Sequence, residues 1–418
     1  MSTPAHGPVY RARDFHVYLA VRLLANAGML VQSVAVGWQV YEIERTPLVL
    51  GIVGLAEFVP MFLLTLPAGE LADRFDPRRV LQASLLLDAL CSGLLLIAAL
   101  ADVRRIWAFY AVMVLFGCAR GLSGPAVRTV LPLLLPPAQL PQALSWSSSV
   151  GQVAVIGAPA LGGFLYALGA PVAYGLCLLA FALSALGTAT LRGRAPVHDQ
   201  ELLAGRIERV REGIGFVRSR PVILGAISLD LFAVLLGGAT ALLPVYARDI
   251  LRVGPGGLGV LRSAPAVGAA IMAISLARRP LSRDVGRTLF IGVATFGVAT
   301  IIFGLSRSFA LSLLVLALAG AADQVSVYIR SALVQLATPD QMRGRVSAVS
   351  ALFINASNEL GAFESGVTAA LIGTVPSVVL GGVGTLAIVV LWMRRFPALA
   401  HVNRLTDVMP DGVPRESA

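Results

Sequence analysis

Lysine is missing from all 418 residues, and every one of the 33 basic side chains is arginine, which we read as the mark of a GC-rich genome rather than of a function. Charge of either sign is scarce. Only 13% of the residues are charged, against about a quarter in soluble domains, while 57% are hydrophobic. A soluble core has no room for that much apolar surface, so lipid must cover it. The net charge of +10 does not point to nucleic acid, because no basic stripe interleaved with aromatics sits on a soluble domain. Cys91, Cys118 and Cys177 each lie inside an apolar run without a partner at metal-ligand spacing, which excludes a disulfide framework and leaves small apolar fillers. His6, His16, His198 and His401 are scattered outside or at the edges of those runs, so no metal site is expected. Nucleophile elbow, phosphate loop and dinucleotide fingerprint are all lacking. Neither an enzyme nor a cofactor is expected.

What is present is apolar runs. At about 20 residues per crossing, the chain predicts an all-α membrane protein with twelve transmembrane helices, near 15–43, 47–71, 80–101, 106–130, 143–168, 171–191, 221–247, 255–277, 288–306, 309–332, 346–373 and 375–393. The runs lack the alternation of barrel strands, so helices must satisfy the backbone in lipid. The first run is too long for a cleaved signal peptide and leads straight into a second hairpin. With the N-terminus inside, 22 arginines fall in inner loops and tails, six in outer loops and five within spans. That bias places both termini in the cytoplasm.

The longest polar stretch, 192–220, holds Leu203, Ile207, Val210, Ile214 and Val217 on one helical face, with Arg206, Glu208, Arg209, Arg211 and Glu212 on the other. It predicts an amphipathic helix lying on the inner membrane surface. The expected organisation is 1–191 as one six-helix bundle, 192–220 as cytoplasmic linker, 221–395 as a second bundle and 396–418 as a cytoplasmic tail. The halves repeat each other. At a shift of 205, Gly54, Glu57 and Pro60 overlay Gly259, Arg262 and Pro265; at 202, Arg128, Pro137, Gln139 and Ser145 overlay Arg330, Pro339, Gln341 and Ser347. Two similar bundles suit a cavity near the midplane around which each rocks.

One loop breaks the apolar text with six charges in eleven residues: Gly69-Glu70-Leu71-Ala72-Asp73-Arg74-Phe75-Asp76-Pro77-Arg78-Arg79. It resembles the signature loop of the major facilitator superfamily, Gly-x-Leu-Ala-Asp-Arg-x-Gly-Arg-Arg, with Asp76 and Pro77 departing from the pattern. The resemblance implies the two-bundle major facilitator fold, pseudo-symmetric about the linker. It also implies a cytoplasmic latch of Gly69, Asp73, Arg74 and Arg78, with Asp73 near the start of the eleventh helix at Val346. Without it, the loop reads as a positive-inside anchor.

Charges inside spans are costly, so each is a functional candidate. They are Arg22, Glu57, Asp88, Arg120, Arg128, Asp230, Arg262, Asp323, Arg330, Glu359 and Glu364. In the family the first, fourth, seventh and tenth helices line the cavity and the third, sixth, ninth and twelfth face outward. This favours Arg22, Arg120, Asp230 and Asp323 and demotes Asp88. Arg120-Gly121-Leu122-Ser123-Gly124 resembles the helix-four motif of proton-coupled drug exporters, Arg-x-x-Gln-Gly, with Ser123 in place of Gln; the alternative is an arginine capping carbonyls. Gly157-Ala158-Pro159-Ala160-Leu161-Gly162-Gly163 resembles their helix-five signature, Gly-Pro-x-x-Gly-Gly, with Ala158 replacing Gly; the alternative is plain packing by Gly157, Pro159, Gly162 and Gly163. Asp323 and Arg330, seven apart, share one face and are expected either to pair statically or to work in a proton pathway with Glu359 and Glu364.

The wording from Val36 to Pro60 resembles the enterobactin-exporter and macrolide-efflux branch. The resemblance implies proton-coupled export of an amphipathic small molecule across a bacterial inner membrane by a monomer, with protons and membrane lipid as partners and no nucleic acid. A solute importer or uniporter on the same scaffold is the alternative, and a transport-inactive membrane scaffold or sensor a third reading.

Overall fold

The computed structural model describes residues 13–192 and 203–408, without the side chains of 66, 69–74, 203, 204, 206 and 207. Helix is the only regular structure among the described residues. Six crossings precede the linker: Arg13–Ile43, Pro47–Arg74, Pro77–Leu100, Ile106–Leu134, Leu140–Ala167 and Ala170–Thr190. After it the seventh crossing occupies Pro221–Ile250. The eighth to twelfth are Gly254–Arg278, Val285–Leu305, Phe309–Leu336, Asp340–Ile372 and Thr374–Arg395. This is the expected twelve-crossing fold. Eleven of the described helices are long and apolar enough to cross a membrane. The eleventh crossing, Asp340–Ile372, has 33 residues and length to spare, but Arg343, Arg345, Glu359 and Glu364 make it more polar than the others.

The seventh crossing departs from the expected continuous helix. Its regular part stops at Leu236, and 3₁₀ turns at Ala239–Leu242 and a π turn at Tyr246–Ile250 complete the span. Gly237 and Gly238 stand at the break. A Cβ on Gly237 would come within 2.6 Å of the Phe296 ring, and one on Gly238 within 2.7 Å of the Gly361 carbonyl. Neighbouring helices thus occupy the space that side chains would need, and glycine, costly inside a helix, marks where it ends.

The chain divides into two compact units. One comprises residues up to Arg45, Leu55–Leu203 and Val253–Ser263; the other comprises Thr46–Gly54, Ala204–Arg252 and residues from Ala264 on. In the second unit Leu229 and Ala233 of the seventh crossing, Leu289 and Val293 of the ninth, and Ile329 and Leu333 of the tenth form a common buried core.

The linker helix runs Leu203–Ser219. Its apolar stripe is expected against lipid; the described part of it, Val210, Ile214 and Val217, is covered by protein instead. Val217 is buried with Ile223, Val334, Val346 and Val349, and Val210 and Ile214 pack against that cluster. Arg345 and Glu212 add an ion pair of 2.7 Å. An i, i+4, i+7 stripe needs only an apolar partner, and the head of the eleventh crossing supplies one.

Asp76, a departure from the signature loop, has a structural task. It caps the third helix, accepting from the Arg78 amide at 3.0 Å, with Pro77 at the first helical position. The Arg78 guanidinium pairs with the same carboxylate at 2.7 Å and donates to the Leu191 carbonyl at 3.2 Å. These hydrogen bonds hold the Asp76 carboxyl below the usual carboxylate range. A depressed folded pKa means that the cap's contribution is present above the ordinary value of 3.8 and fades as the pH falls through the lower folded value. Asp76→Ala is expected to lower stability by about 1–2 kcal/mol at neutral pH, with the gap between variant and wild type closing in acid; thermal unfolding in detergent across pH measures both.

Candidate functional site

In the first unit two glycines create the contact that places a charge. Gly117 and Gly121 lie four apart on the fourth crossing. A Cβ at Gly117 would strike the Glu57 carbonyl and the Pro60 ring, and one at Gly121 would approach Leu64 to 3.0 Å and the Met61 carbonyl to 3.1 Å. This small-x-x-x-small spacing lets the fourth helix lie directly on the second. Arg120, between the two glycines, thereby reaches Glu57 and forms an ion pair with it. Arg120 therefore meets a carboxylate, and Ser123, standing for the motif's Gln, donates back to the Arg120 carbonyl at 3.1 Å.

Asp88 was demoted as a residue of an outward-facing helix. It is buried, 7% exposed, and its Oδ1 has no hydrogen-bond partner. With Tyr18, Arg22, Asn26, Arg120 and Ser123 it lines a cavity of about 70 Å³. The Arg22 Nε also lacks a partner. The family's rule on which helices face the transport cavity does not govern pockets inside one bundle, and Asp88 lies in such a pocket. Four charges, Arg22, Asp88, Arg120 and Glu57, thus gather in one balanced group.

In the second unit Arg330 and Asp230 form an ion pair of 2.6 Å, both side chains nearly inaccessible at 5% and 6%. The contact is one of charge rather than an aligned hydrogen bond, since Nη1 and Nε of Arg330 have no hydrogen-bond acceptor. The expected static pair of Asp323 with Arg330 does not form. Seven residues put the two on one face but about 10 Å apart along the axis, and Asp230 on a neighbouring helix is nearer. Among the described residues Asp323 has neither ion pair nor hydrogen bond. Asp230, Asp323, Ser326 and Phe296 border a small void of about 10 Å³. Asp323 also opens onto a larger cavity of about 180 Å³, with Thr240, Phe296, Thr300, Phe303 and Asn358. The broken seventh crossing forms one wall, through Gly237, Gly238 and Ala239. The sequence signal for that wall is two adjacent glycines in mid-run, Gly237 and Gly238.

The remaining candidates separate. Glu364 accepts a 2.8 Å hydrogen bond from Thr368 one turn on, and Glu359 is half-buried; neither borders these cavities. In the helix-five motif Gly162 meets the Val31 backbone and Gly163 meets Pro255 and Gly259, whereas a Cβ at Gly157 would meet nothing within 4 Å. Next to Pro159, the Ala160 amide donates to Ser263 Oγ at 3.1 Å. Of the latch residues, Arg78 binds Asp76; Gly69, Asp73 and Arg74 lie outside the described side chains.

This arrangement, buried charges in a twelve-crossing helical fold with a central repeat, has relatives. Residues 4–410 match the transmembrane secretion effector family of the major facilitator superfamily. The chain belongs to that family. Its members are transporters, so the protein is a multi-pass membrane transporter and not an enzyme. A relative similar to it is the multidrug efflux pump Tap of Mycolicibacterium fortuitum, 30% identical over 369 residues, covering 83% of this chain and 87% of the pump. The enterobactin exporter EntS of Citrobacter koseri is 26% identical over 414 residues, covering 97% and 96%. In fold, the chain is similar to the solved bacterial homologue of the human lysosomal transporter Spinster, with a TM-score of 0.71, 15% identity, and coverage of 99% and 100%.

Removing one member of a buried ion pair strands the other, at a cost of about 3–5 kcal/mol, while replacing both is far milder. Arg330→Met is therefore expected to destabilise the protein strongly, and Asp230→Asn combined with Arg330→Met to recover most of the loss; unfolding curves of the two variants beside wild type check this.

Proposed function

We propose that the protein exports amphipathic small molecules from the cell by alternating access, driven by the proton gradient across a bacterial inner membrane, and acts as a monomer. One observation carries the reading: in the second unit two carboxylates, the buried Asp230 and the half-buried Asp323, border one void, and the guanidinium there, Arg330, is taken by Asp230. A lone carboxylate in a low-dielectric interior is too costly to persist, so the surplus one must take up a proton or a cation. Asp230 is already compensated. Asp323 is the proton carrier, and Arg330 the group that favours its charged form when it approaches. The first unit has no such surplus, since Arg22 and Arg120 offset Asp88 and Glu57; it serves as a polar wall of the pathway rather than as the carrier. Export is supported by the relatives, an efflux pump and an exporter.

In this reading Gly69, Asp73 and Arg74 form the cytoplasmic latch, with Arg78 anchoring the loop through Asp76. Both termini and residues 192–220 lie in the cytoplasm, and Glu359 and Glu364 give the eleventh crossing a wetted face. Gly157, Pro159, Gly162 and Gly163 are packing elements.

In vesicles loaded with substrate and given a pH gradient, Asp323→Asn is expected to abolish uphill export while leaving some downhill exchange. Wild-type flux that ignores the gradient makes the protein a uniporter. An essential Glu359 or Glu364 beside a dispensable Asp323 keeps the coupling and changes its carrier. Topology has its own check: Arg218→Cys, at the end of the linker helix, is expected to resist membrane-impermeant thiol reagents in intact cells and to react after the cells are opened.

A further inference from the structure

The 180 Å³ cavity has a charge of one sign only. Asp323 is the sole charged side chain among its lining residues. The helix Pro221–Leu236 ends at the cavity wall. Its last carbonyls lack the intrahelical donors of a continuing helix, apart from the Ala233 oxygen, which accepts from Gly237 at 2.9 Å. The negative end of its dipole therefore adds to the field of Asp323. Phe296 and Phe303 bring two aromatic rings, which attract cations through their quadrupoles. Thr300, whose hydroxyl donates to the Phe296 carbonyl at 2.9 Å, keeps oxygen lone pairs as acceptors. Carboxylate, helix C-terminus and aromatic rings are independent features, and all three favour positive charge. None favours an anion.

We infer that this cavity binds the charged group of an organic cation, an ammonium or amidinium on an apolar body, at Asp323. The inference rests on Asp323 as the coupling acid and names what exchanges with its proton. A volume of about 180 Å³ is below the roughly 300–1,000 Å³ of pockets that enclose whole drug-sized ligands. The cavity therefore takes the cationic head and leaves the apolar body to neighbouring surface. Proton and head compete for one carboxylate, so occupancy by one releases the other.

The test is equilibrium binding to the full-length protein in lipid nanodiscs, with no gradient present. Benzyltrimethylammonium carries a fixed charge; neopentylbenzene is its neutral carbon isostere, and benzenesulfonate an anion of similar size. The cation is expected to bind at least tenfold more tightly than either control. Asp323→Asn is expected to weaken the cation at least tenfold without changing the isostere, Asp323→Glu to restore much of the affinity, and Phe303→Leu to weaken the cation several-fold. Equal binding of cation and isostere to the wild type overturns the inference without recourse to any variant, as does preference for the sulfonate or indifference of the cation to Asp323→Asn. Cation binding in nanodiscs without gradient-driven flux in vesicles defeats only the coupled-export reading. Gradient-driven flux with no cation selectivity defeats only this one.

Discussion

Inside a bilayer no water is available to answer a charge, and the charged interior of this protein is arranged under that constraint. A buried ion is stabilised by a counter-ion on another helix, so the ion pairs that form are also the places where helices are held in register. Arg120 ties the fourth crossing to the second through Glu57, and Arg330 ties the tenth to the seventh through Asp230. In the first unit the cluster of Arg22, Arg120, Asp88 and Glu57 balances to zero. The second is left with Asp323, and that remainder is what a transport cycle can act on.

Close approach of backbones makes these pairs attainable. Arginine is long, but it cannot span two helices held apart by ordinary side chains and still remain buried. Gly117 and Gly121 remove the obstruction on either side of Arg120. Gly237 and Gly238 act differently: they end a helix in mid-membrane, leaving carbonyls and a wall of small residues beside Asp323. Small residues thus serve electrostatics twice, once by contact and once by interruption.

Much of this was legible in the sequence, for identifiable reasons. Helix number and limits followed because lipid imposes a length and a composition on each crossing, and, the interrupted seventh apart, the observed helices begin and end within a few residues of the expected ones. The eleventh crossing was legible in spite of its charge, through its length and its place in the repeat. Pairing was not legible. Asp323 and Arg330 share a face in one helix, whereas Asp230, which takes the arginine, is a hundred residues away in the chain. The burial of Asp88 was not legible either, because a rule about the outer faces of bundles says nothing of a residue pointing into one. The linker helix was placed against lipid because an amphipathic pattern records that something apolar covers it, without recording what. Asp76 looked like an imperfect motif, although Asp-Pro at a helix start is itself the pattern of a cap.

With two carboxylates and one guanidinium, the second-unit site has a net charge of minus one when empty and zero when it holds one proton or one monovalent cation. Arginine does not release its proton and Asp230 stays ionised against it, so the cycle uses these two states. In the proposed exchange, one proton inward for one cation outward moves no net charge in either loaded direction. Such a carrier is electroneutral: the membrane voltage performs no work on the completed cycle, and the pH difference alone sets how steep a substrate gradient it can sustain. Only the empty site feels the field, and its return unloaded would carry a negative charge across, worth about 2.3 kcal/mol for every 100 mV. With the interior negative, that field opposes carrying the empty site's charge inward, so voltage acts on the slip of the exchanger rather than on its yield.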